Sequence, residues 1–168
     1  HQGRIVDTTG DSVLATLDSV VEAVEAAVEI QRDLAARNKV LSDERRMHFR
    51  IGVNLGDIIV EGDDIYGDGV NIAARLEQIA DAGSILVSDD IQRHTIGKVG
   101  GNFVDLGERF LKNVEKPVRI WRWQDNARNN VPTVDKPGKP ERAVLSLPDK
   151  PSVAVLPFDN MTHDPEQD

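Results

Sequence analysis

The 168-residue chain contains no cysteine, and only 4% of its residues are aromatic. The lack of thiols excludes a disulfide framework and any metal site built from thiolates. Apolar residues never run for the roughly 20 positions that a membrane-spanning helix needs, and no signal-peptide pattern is present. These absences favour a protein of a reducing compartment, and we expect the cytoplasm.

Positive charge is also scarce, since 20 Lys and Arg against 29 Asp and Glu give a net charge of -9. Nucleic-acid backbones require a basic face, so we expect no nucleic-acid partner. A nucleotide can still be a ligand, because a local site can be basic or can hold a metal ion. The four histidines lack metal-ligand spacing, and neither a Walker-type phosphate loop nor a Gly-x-Ser-x-Gly elbow occurs.

The composition changes after Gln124. We interpret residues 1–124 as one domain, residues 125–150 as a linker rich in proline and charge, and residues 151–168 as the start of a truncated second domain. The run SVAVLPF in that last part resembles a first strand, and we expect it to lack a strand partner. Because the chain begins at His1 and stops in a polar stretch, we expect a fragment of a longer protein.

Periodic patterns at the start of the chain predict a hairpin followed by a helix. Two β-rich runs, Arg4–Val6 and Ser12–Leu17, flank a turn that contains glycine. Apolar residues then recur at helical spacing, at Val20, Val24, Ala27 or Val28, and Leu34. Ser19 with Glu22 forms a capping-box signature where this helix begins.

A second hairpin is predicted for RMHFRIGVNLGDIIVEG, with its turn at Asn54–Asp57. A helix follows from about Val70 to Ala80, and then a short strand, a short helix and two closing strands. This order predicts an α+β domain in which the helices cover one side of a mostly antiparallel sheet.

The most informative stretch is GDDIYGDGVNIAARLE, an acidic glycine-containing loop that leads into a helix. Asn71 and Arg75 are four residues apart, so they share one face of that helix. A helix N-terminus favours phosphate, arginine matches phosphate oxygens, and asparagine can orient a sugar hydroxyl. Taken alone, the two residues favour an ordinary polar helix surface over a binding role.

Three further residues are candidates for binding. Asp11 follows a tight turn and could hold Mg²⁺, or it could satisfy backbone donors of the turn. Asp64 could accept a hydrogen bond from the amine of a base, or it could be a solvated loop acid. Lys112 could reach a triphosphate, although lysines in such loops are usually solvated.

Four segments in this order resemble the catalytic domain of class III nucleotidyl cyclases, the adenylate and guanylate cyclases, over residues 1–124. They are RIVDTTGDSVLATL, HFRIGVNLGDIIVEG, DDIYGDGVNIAARLE and FVDLGERFLKNVEKPVRIWRW. The resemblance implies a ferredoxin-like βαββαβ palm that lacks its first strand here. It also implies conversion of ATP to cyclic AMP and pyrophosphate with two Mg²⁺ or Mn²⁺ ions, at the interface of a head-to-tail homodimer.

The resemblance assigns a role to each candidate residue. It implies that Asp11 is the second of two metal-binding aspartates and that Asp64 reads the base. It implies that Asn71 positions the ribose, that Arg75 stabilises charge on the phosphates, and that Lys112 lies near a phosphate-binding lysine.

Two departures from the family pattern bear on activity. The strand with the first metal aspartate lies upstream of the hairpin and is missing, so we expect this fragment alone to be inactive. Many adenylate cyclases have a lysine four residues before the metal aspartate, and here that position is Asp7. The alternatives are therefore a degenerate regulatory module without turnover, or a guanylate cyclase, although Asp64 favours adenine.

The tail LPDKPSVAVLPFDNMTHDPEQ resembles the segment after the cyclase domain in bacterial cyclases that continue into a TolB-like region and tetratricopeptide repeats. This resemblance implies a bacterial protein whose missing C-terminal repeats bind protein partners.

Overall fold

The structure is a computed structural model that describes residues 3–9, 12–61, 64–126 and 152–159. Its strands are β1 (Gly3–Thr9), β2 (Ser12–Leu17), β3 (His48–Phe49), β4 (Ile51–Leu55), β5 (Ile59–Glu61), β6 (Asp64–Tyr66), β7 (Ile85–Ser88), β8 (Asn102–Arg109), β9 (Val118–Gln124) and β10 (Ser152–Asp159). Its helices are α1 (Val20–Asn38), α2 (Asp68–Gln78) and α3 (Asp89–Thr95), with a 3₁₀ turn at Asp43–Arg45.

One large sheet organises the described part of the chain. Its strand order is β1-β2-β10-β4-β7-β9-β8, and β3 pairs with the end of β10. The β4–β7 pair is parallel, whereas the other pairs in this sheet are antiparallel. The sheet and its three helices confirm the predicted α+β class.

Helix α1 forms as its sequence predicts. The Ser19 hydroxyl accepts a hydrogen bond of 3.4 Å from the backbone N–H of Glu22 and so caps the first turn. The predicted apolar positions are buried against one face of the sheet, together with Ile51 and Val53 of β4 and Ile91 of α3. Burial of this stripe, rather than helix propensity alone, stabilises a helix of this kind.

Helix α2 lies on the opposite face, so the expectation of helices on one side only is wrong. Residues alternate between the two faces of a strand. Ile51 and Val53 point toward α1, whereas a side chain at Gly52, between them, would meet Leu76 of α2. The strand is short and buried on both faces, which is why its hydrophobic pattern did not reveal the second layer.

The predicted second hairpin is also placed differently. Strand β5 pairs with β6 in a separate two-stranded sheet, with Ile59 opposite Tyr66, and it does not pair with β4. The physical reason is that β4 already has a neighbour on each side, β10 and β7. The chain therefore leaves the sheet after Leu55 and forms its hairpin beyond the edge of β4.

Strand β10 corrects the expectation that its segment lacks a partner. It lies between β2 and β4 and runs antiparallel to both. Ala154, for example, is paired with Ala15 on one side and with Val53 on the other. The segment that follows the predicted linker thus completes the middle of the sheet.

Candidate active site

Helix α2 carries the two residues that the loop-helix motif singled out. Its N-cap residue is Gly67, with φ 134°, and no side chain caps this end of the helix. Asn71 is exposed in the second turn, and its backbone N–H donates to the Gly67 carbonyl over 3.1 Å. Arg75 is half-buried, and its Nη1 donates to Oε1 of Gln78 over 2.5 Å. The helix therefore presents an amide and a guanidinium along one line from an uncapped N-terminus, an arrangement suited to a phosphorylated ligand.

Close backbone contacts seat α2 on β4. A Cβ atom at Gly52 would lie 2.3 Å from the Ala73 carbonyl oxygen, and one at Gly56 would lie 2.7 Å from Cα of Gly69. These distances are too short for any side chain, so the two glycines let the helix approach the strand directly.

Asn54 of β4 holds the first turn of α2 in place through a hydrogen bond from its side chain. Its side chain is buried, and Nδ2 donates a hydrogen bond of 3.1 Å to the carbonyl oxygen of Gly69. Sequence reasoning assigned Asn54 to a turn and missed this role. The available signal was RIGVNLG, in which an amide and two glycines interrupt an otherwise apolar strand.

An ion pair anchors the other end of α2. Arg50 Nε lies 3.0 Å from Oε1 of Glu77, and the Glu77 side chain is buried. A buried carboxylate needs such a partner, so this pair fixes the C-terminal turn of the helix over the start of β4. The two ends of α2 are thus held independently.

Lys112 is exposed in the loop between β8 and β9. The preceding residue, Leu111, is buried in a cluster with Leu76 of α2 and Ile120 of β9. This contact brings the Lys112 loop to the face that α2 covers. Ile120 pairs with Ser88, the last residue of β7, and β7 runs parallel to β4. Strand β9 starts two residues before Ile120. The loop that precedes β9 therefore lies at the end of the sheet where β4 terminates.

Asp11 lies outside the described residues, but the strand that follows it is described. Ser12, the first residue of β2, pairs with Pro157, which lies level with the start of β4. Leu17, the last residue of β2, pairs with Ser152, and Ser152 also pairs with Leu55 at the end of β4. The five steps from Ser12 to Leu17 cover about 17 Å along the strand. Within one chain, the strand end next to Asp11 is therefore at the opposite end of the sheet from the N-terminus of α2.

The two positions expected to face the base belong to neighbouring elements. Asp64 begins β6, and β6 contacts β1, on which Asp7 is exposed. The structure therefore supports a common location for Asp7 and the β5–β6 hairpin on the same side of the domain.

A separate polar cluster lies on the face that α3 covers. Hydrogen bonds from the Arg119 guanidinium, and then from the Gly107 backbone N–H, hold the pKa of Asp105 below its usual range. The same bond to Asp105 raises the pKa of Arg119. Arg119 also lies over the Trp121 ring, and Trp121 Nε1 donates to Asp89 over 2.9 Å. This cluster links β8, β9 and α3 on the face of the sheet opposite to α2.

Two absences apply to the described part of the chain. No group of three or more His, Cys, Asp or Glu residues there is arranged to hold a metal ion. None of the helices described is both long enough and apolar enough to cross a membrane.

Residues 1–122 match the adenylate and guanylate cyclase catalytic domain family. The chain belongs to this family. Over 167 residues, 99% of its length, the chain is 48% identical to a Rhizobium meliloti protein named "Putative adenylate cyclase 3". The chain spans only 28% of the length of that relative.

Solved structures confirm the fold of the cyclase domain. An adenylate/guanylate cyclase/hydrolase from Silicibacter pomeroyi superimposes with a TM-score of 0.70 at 43% identity, over 74% of each chain. An adenylyl cyclase from P. aeruginosa superimposes with a TM-score of 0.59, over 75% of this chain and 74% of that one. At 23% identity, the second likeness supports the fold alone.

Proposed function

We propose that the cyclase domain is an adenylate cyclase whose active site is shared by two chains in a head-to-tail dimer. The observation that carries the proposal is the separation within one chain. Ser12, next to Asp11, lies at one end of the sheet, whereas α2 begins and the Lys112 loop lies at the other. A second chain in the opposite orientation would bring the two ends together.

In the proposed reaction, the 3′-hydroxyl oxygen of ATP forms a bond to the α-phosphorus. The bond from that phosphorus to the oxygen bridging to the β-phosphate breaks, pyrophosphate leaves, and the hydroxyl loses its proton. Asn71 holds the ribose in line for attack, and the held geometry lowers the entropic cost of the step. Arg75 stabilises the charge that develops on the phosphates in the transition state.

Mg²⁺ or Mn²⁺ fits the donor set that the chain provides. These ions favour one or two carboxylates together with phosphate oxygens and water, so Asp11 and the triphosphate are compatible ligands. When bound, the metal neutralises the triphosphate and activates the hydroxyl. The resemblance implies two ions, with the second aspartate on the strand upstream of the hairpin. Lys112 would bind the phosphates from the other side.

Asp64 supports ATP as the substrate, because a carboxylate accepts a hydrogen bond from the exocyclic amine of adenine. ATP is supplied in the cytoplasm, where we propose that the domain acts. The Rhizobium relative is longer than this chain and is matched through residues 125–168, which supports the proposal of further C-terminal, TolB-like and repeat regions that bind proteins.

The test uses a longer form of the protein that includes the strand upstream of the hairpin. This form would be incubated with Mn²⁺ and either ATP or GTP, and cyclic AMP, cyclic GMP and pyrophosphate would be quantified. We expect cyclic AMP from ATP, and a loss of turnover of about a hundredfold or more for Arg75→Ala. Arg37→Ala removes an exposed arginine from the last turn of α1 and is the matched control.

Asp7 favours a second candidate, a regulatory module that binds nucleotide or only dimerises. An ionised aspartate accepts hydrogen bonds and cannot donate to adenine N1 as lysine does. If a folded dimer of the longer form gives no cyclic product from either nucleotide, this second function replaces the first. Cyclic GMP as the main product would instead identify a guanylate cyclase.

A further inference from the structure

The side chain that holds Arg75 is a neutral one. Nη1 of Arg75 donates a hydrogen bond of 2.5 Å to Oε1 of Gln78, the last residue of α2. Positions 71, 75 and 78 are spaced by four and then three residues, so their side chains share one face of the helix. We infer that Gln78 is a positioning residue of the active site, which orients the Arg75 guanidinium without neutralising its charge. This inference rests on the proposed function.

The ion pairs at the C-terminal end of α2 show why a neutral partner matters. Two acids lie at or just after this end of the helix, and each has its own arginine. Glu77 pairs with Arg50 over 3.0 Å, and Asp81 lies 3.7 Å from Arg122. Within the part of the chain that the structure describes, no carboxylate forms an ion pair with Arg75. Of these three arginines, Arg75 is therefore the one whose positive charge is left for an anionic ligand.

The bond to Gln78 leaves most of the guanidinium available for a ligand. A guanidinium carries its N–H donors in a planar fork, and this contact uses a single nitrogen, Nη1. The Nε and Nη2 atoms form another edge of the fork, and such an edge matches two oxygens of a phosphate group. The Gln78 amide and a phosphate can therefore contact Arg75 at the same time.

The backbone around Gln78 is itself held in place. The Ile79 N–H donates to the Arg75 carbonyl over 3.2 Å, and the Ala80 N–H donates to the Glu77 carbonyl over 3.0 Å. A free arginine side chain has many rotamers, and fixing one of them costs conformational entropy. Because Gln78 restricts Arg75 before a ligand arrives, the guanidinium is already oriented when charge develops on the phosphates.

The first test is a double-mutant cycle in the longer form of the protein, with Mn²⁺ and ATP. We expect Gln78→Ala to lower kcat about tenfold and to change KM by less than about twofold, because Arg75 acts on charge that develops in the transition state. In the Arg75→Ala background, the same substitution should have no further effect. Equal losses of kcat in the two backgrounds would overturn the inference, since they would show that Gln78 does not act through Arg75.

The variant Gln78→Glu separates orientation from charge. Glutamate has nearly the same shape and keeps the acceptor, but its ionised carboxylate would form an ion pair with Arg75 and offset the charge that the phosphates need. We expect a larger loss of kcat than for Gln78→Ala, about a hundredfold. Ala82→Glu adds the same charge at an exposed position after the helix and is the matched control. Full activity of Gln78→Glu, or an equal loss in Ala82→Glu, would contradict the inference.

Two readouts that do not need turnover keep this test distinct from that of the proposed function. NMR of the arginine side chains, with Arg75→Ala for assignment, reports the contact directly. We expect slow rotation of the Arg75 guanidinium in the parent and faster rotation in Gln78→Ala, and equal rates would refute the contact.

ATP binding is the second readout, and it replaces kcat if the parent makes no cyclic nucleotide. Gln78→Glu should weaken ATP binding about tenfold when Arg75 is present and should have no such effect in the Arg75→Ala background. The same weakening in both backgrounds would count against Gln78 as the residue that positions Arg75.

Discussion

The side chain of Asn54 in β4 donates a hydrogen bond of 3.1 Å to the backbone carbonyl of Gly69 in the first turn of α2. Asn54 is only 3% exposed, so water cannot replace this bond if the amide is removed. Through this bond, the central strand β4 fixes the position and rotation of α2, the helix that carries Asn71 and Arg75.

We expect Asn54→Ala to lower the free energy of unfolding by about 1–3 kcal/mol, because it leaves the buried Gly69 carbonyl without its donor. Denaturant unfolding would measure the change. Asn71→Ala is the matched control, since Asn71 is exposed and its loss should cost no more than about 0.5 kcal/mol. Equal effects of the two substitutions would contradict the role assigned to Asn54.

Gly52→Ala should destabilise the domain more strongly, by about 3 kcal/mol, because the new methyl group would lie 2.3 Å from the Ala73 carbonyl oxygen. Helix α2 would have to move away from β4. Gly100→Ala is the comparison, because a Cβ at Gly100 meets no atom within 4 Å. Thermal unfolding of both variants would measure these effects. If Gly52→Ala were as stable as the parent, α2 would not pack directly on β4.

The Asp105–Arg119 pair should contribute to stability in a pH-dependent manner. Its hydrogen bonds lower the pKa of Asp105 in the folded state, so the contribution is present above the ordinary carboxyl pKa of about 4 and is lost as the pH falls through the lowered value. We expect Asp105→Asn to be less stable than the parent at pH 7, with the gap closing in acid.

Melting curves at a series of pH values would measure this gap. Glu44→Gln is the control, because Glu44 is an exposed acid in the 3₁₀ turn. A gap between parent and Asp105→Asn that stays constant from neutral pH into acid would refute the linkage.

Asp7→Lys should shift substrate preference toward ATP in the longer, active form of the protein. A lysine ammonium donates to adenine N1, which is an acceptor, whereas guanine presents an N–H at that position. One charged hydrogen bond supports a change of about tenfold or more in the ratio of kcat/KM for ATP over GTP.

The exposed Asp33 of α1 provides the charge-matched control, Asp33→Lys. If both lysine variants change the ratio equally, the effect comes from net charge and Asp7 does not face the base.

Local patterns in the sequence predicted most of the elements, because their signals depend on neighbouring residues. The spacing of Val20, Val24 and Leu34 and the Ser19 cap gave α1, and the loop-helix motif gave α2 to within two residues at each end. Site residues were identified through a resemblance to a family, since Asn71 and Arg75 alone also suit an ordinary helix surface.

The errors concern relationships between distant parts of the chain. The hairpin assigned at Asn54–Asp57 does not form because β10, about 100 residues later, and β7 occupy both edges of β4. The placement of α2 on the second face depends on the missing side chain at Gly52, a feature that a hydrophobic pattern does not register. Pairing and layer order are set by which surfaces remain free, and a one-dimensional pattern contains little of that information.

Ser12 and the start of α2 lie at opposite ends of the sheet. If each active site uses residues of two chains, this separation predicts how mutant alleles of the gene behave together. A chain that has lost Asp11 still carries an intact Asn71 and Arg75, and a chain that has lost Arg75 still carries an intact Asp11. Two null alleles of one gene would then complement each other in a cell that expresses both, because a mixed pair assembles one site from the undamaged ends. Mutations at the same end of the sheet would fail to do so.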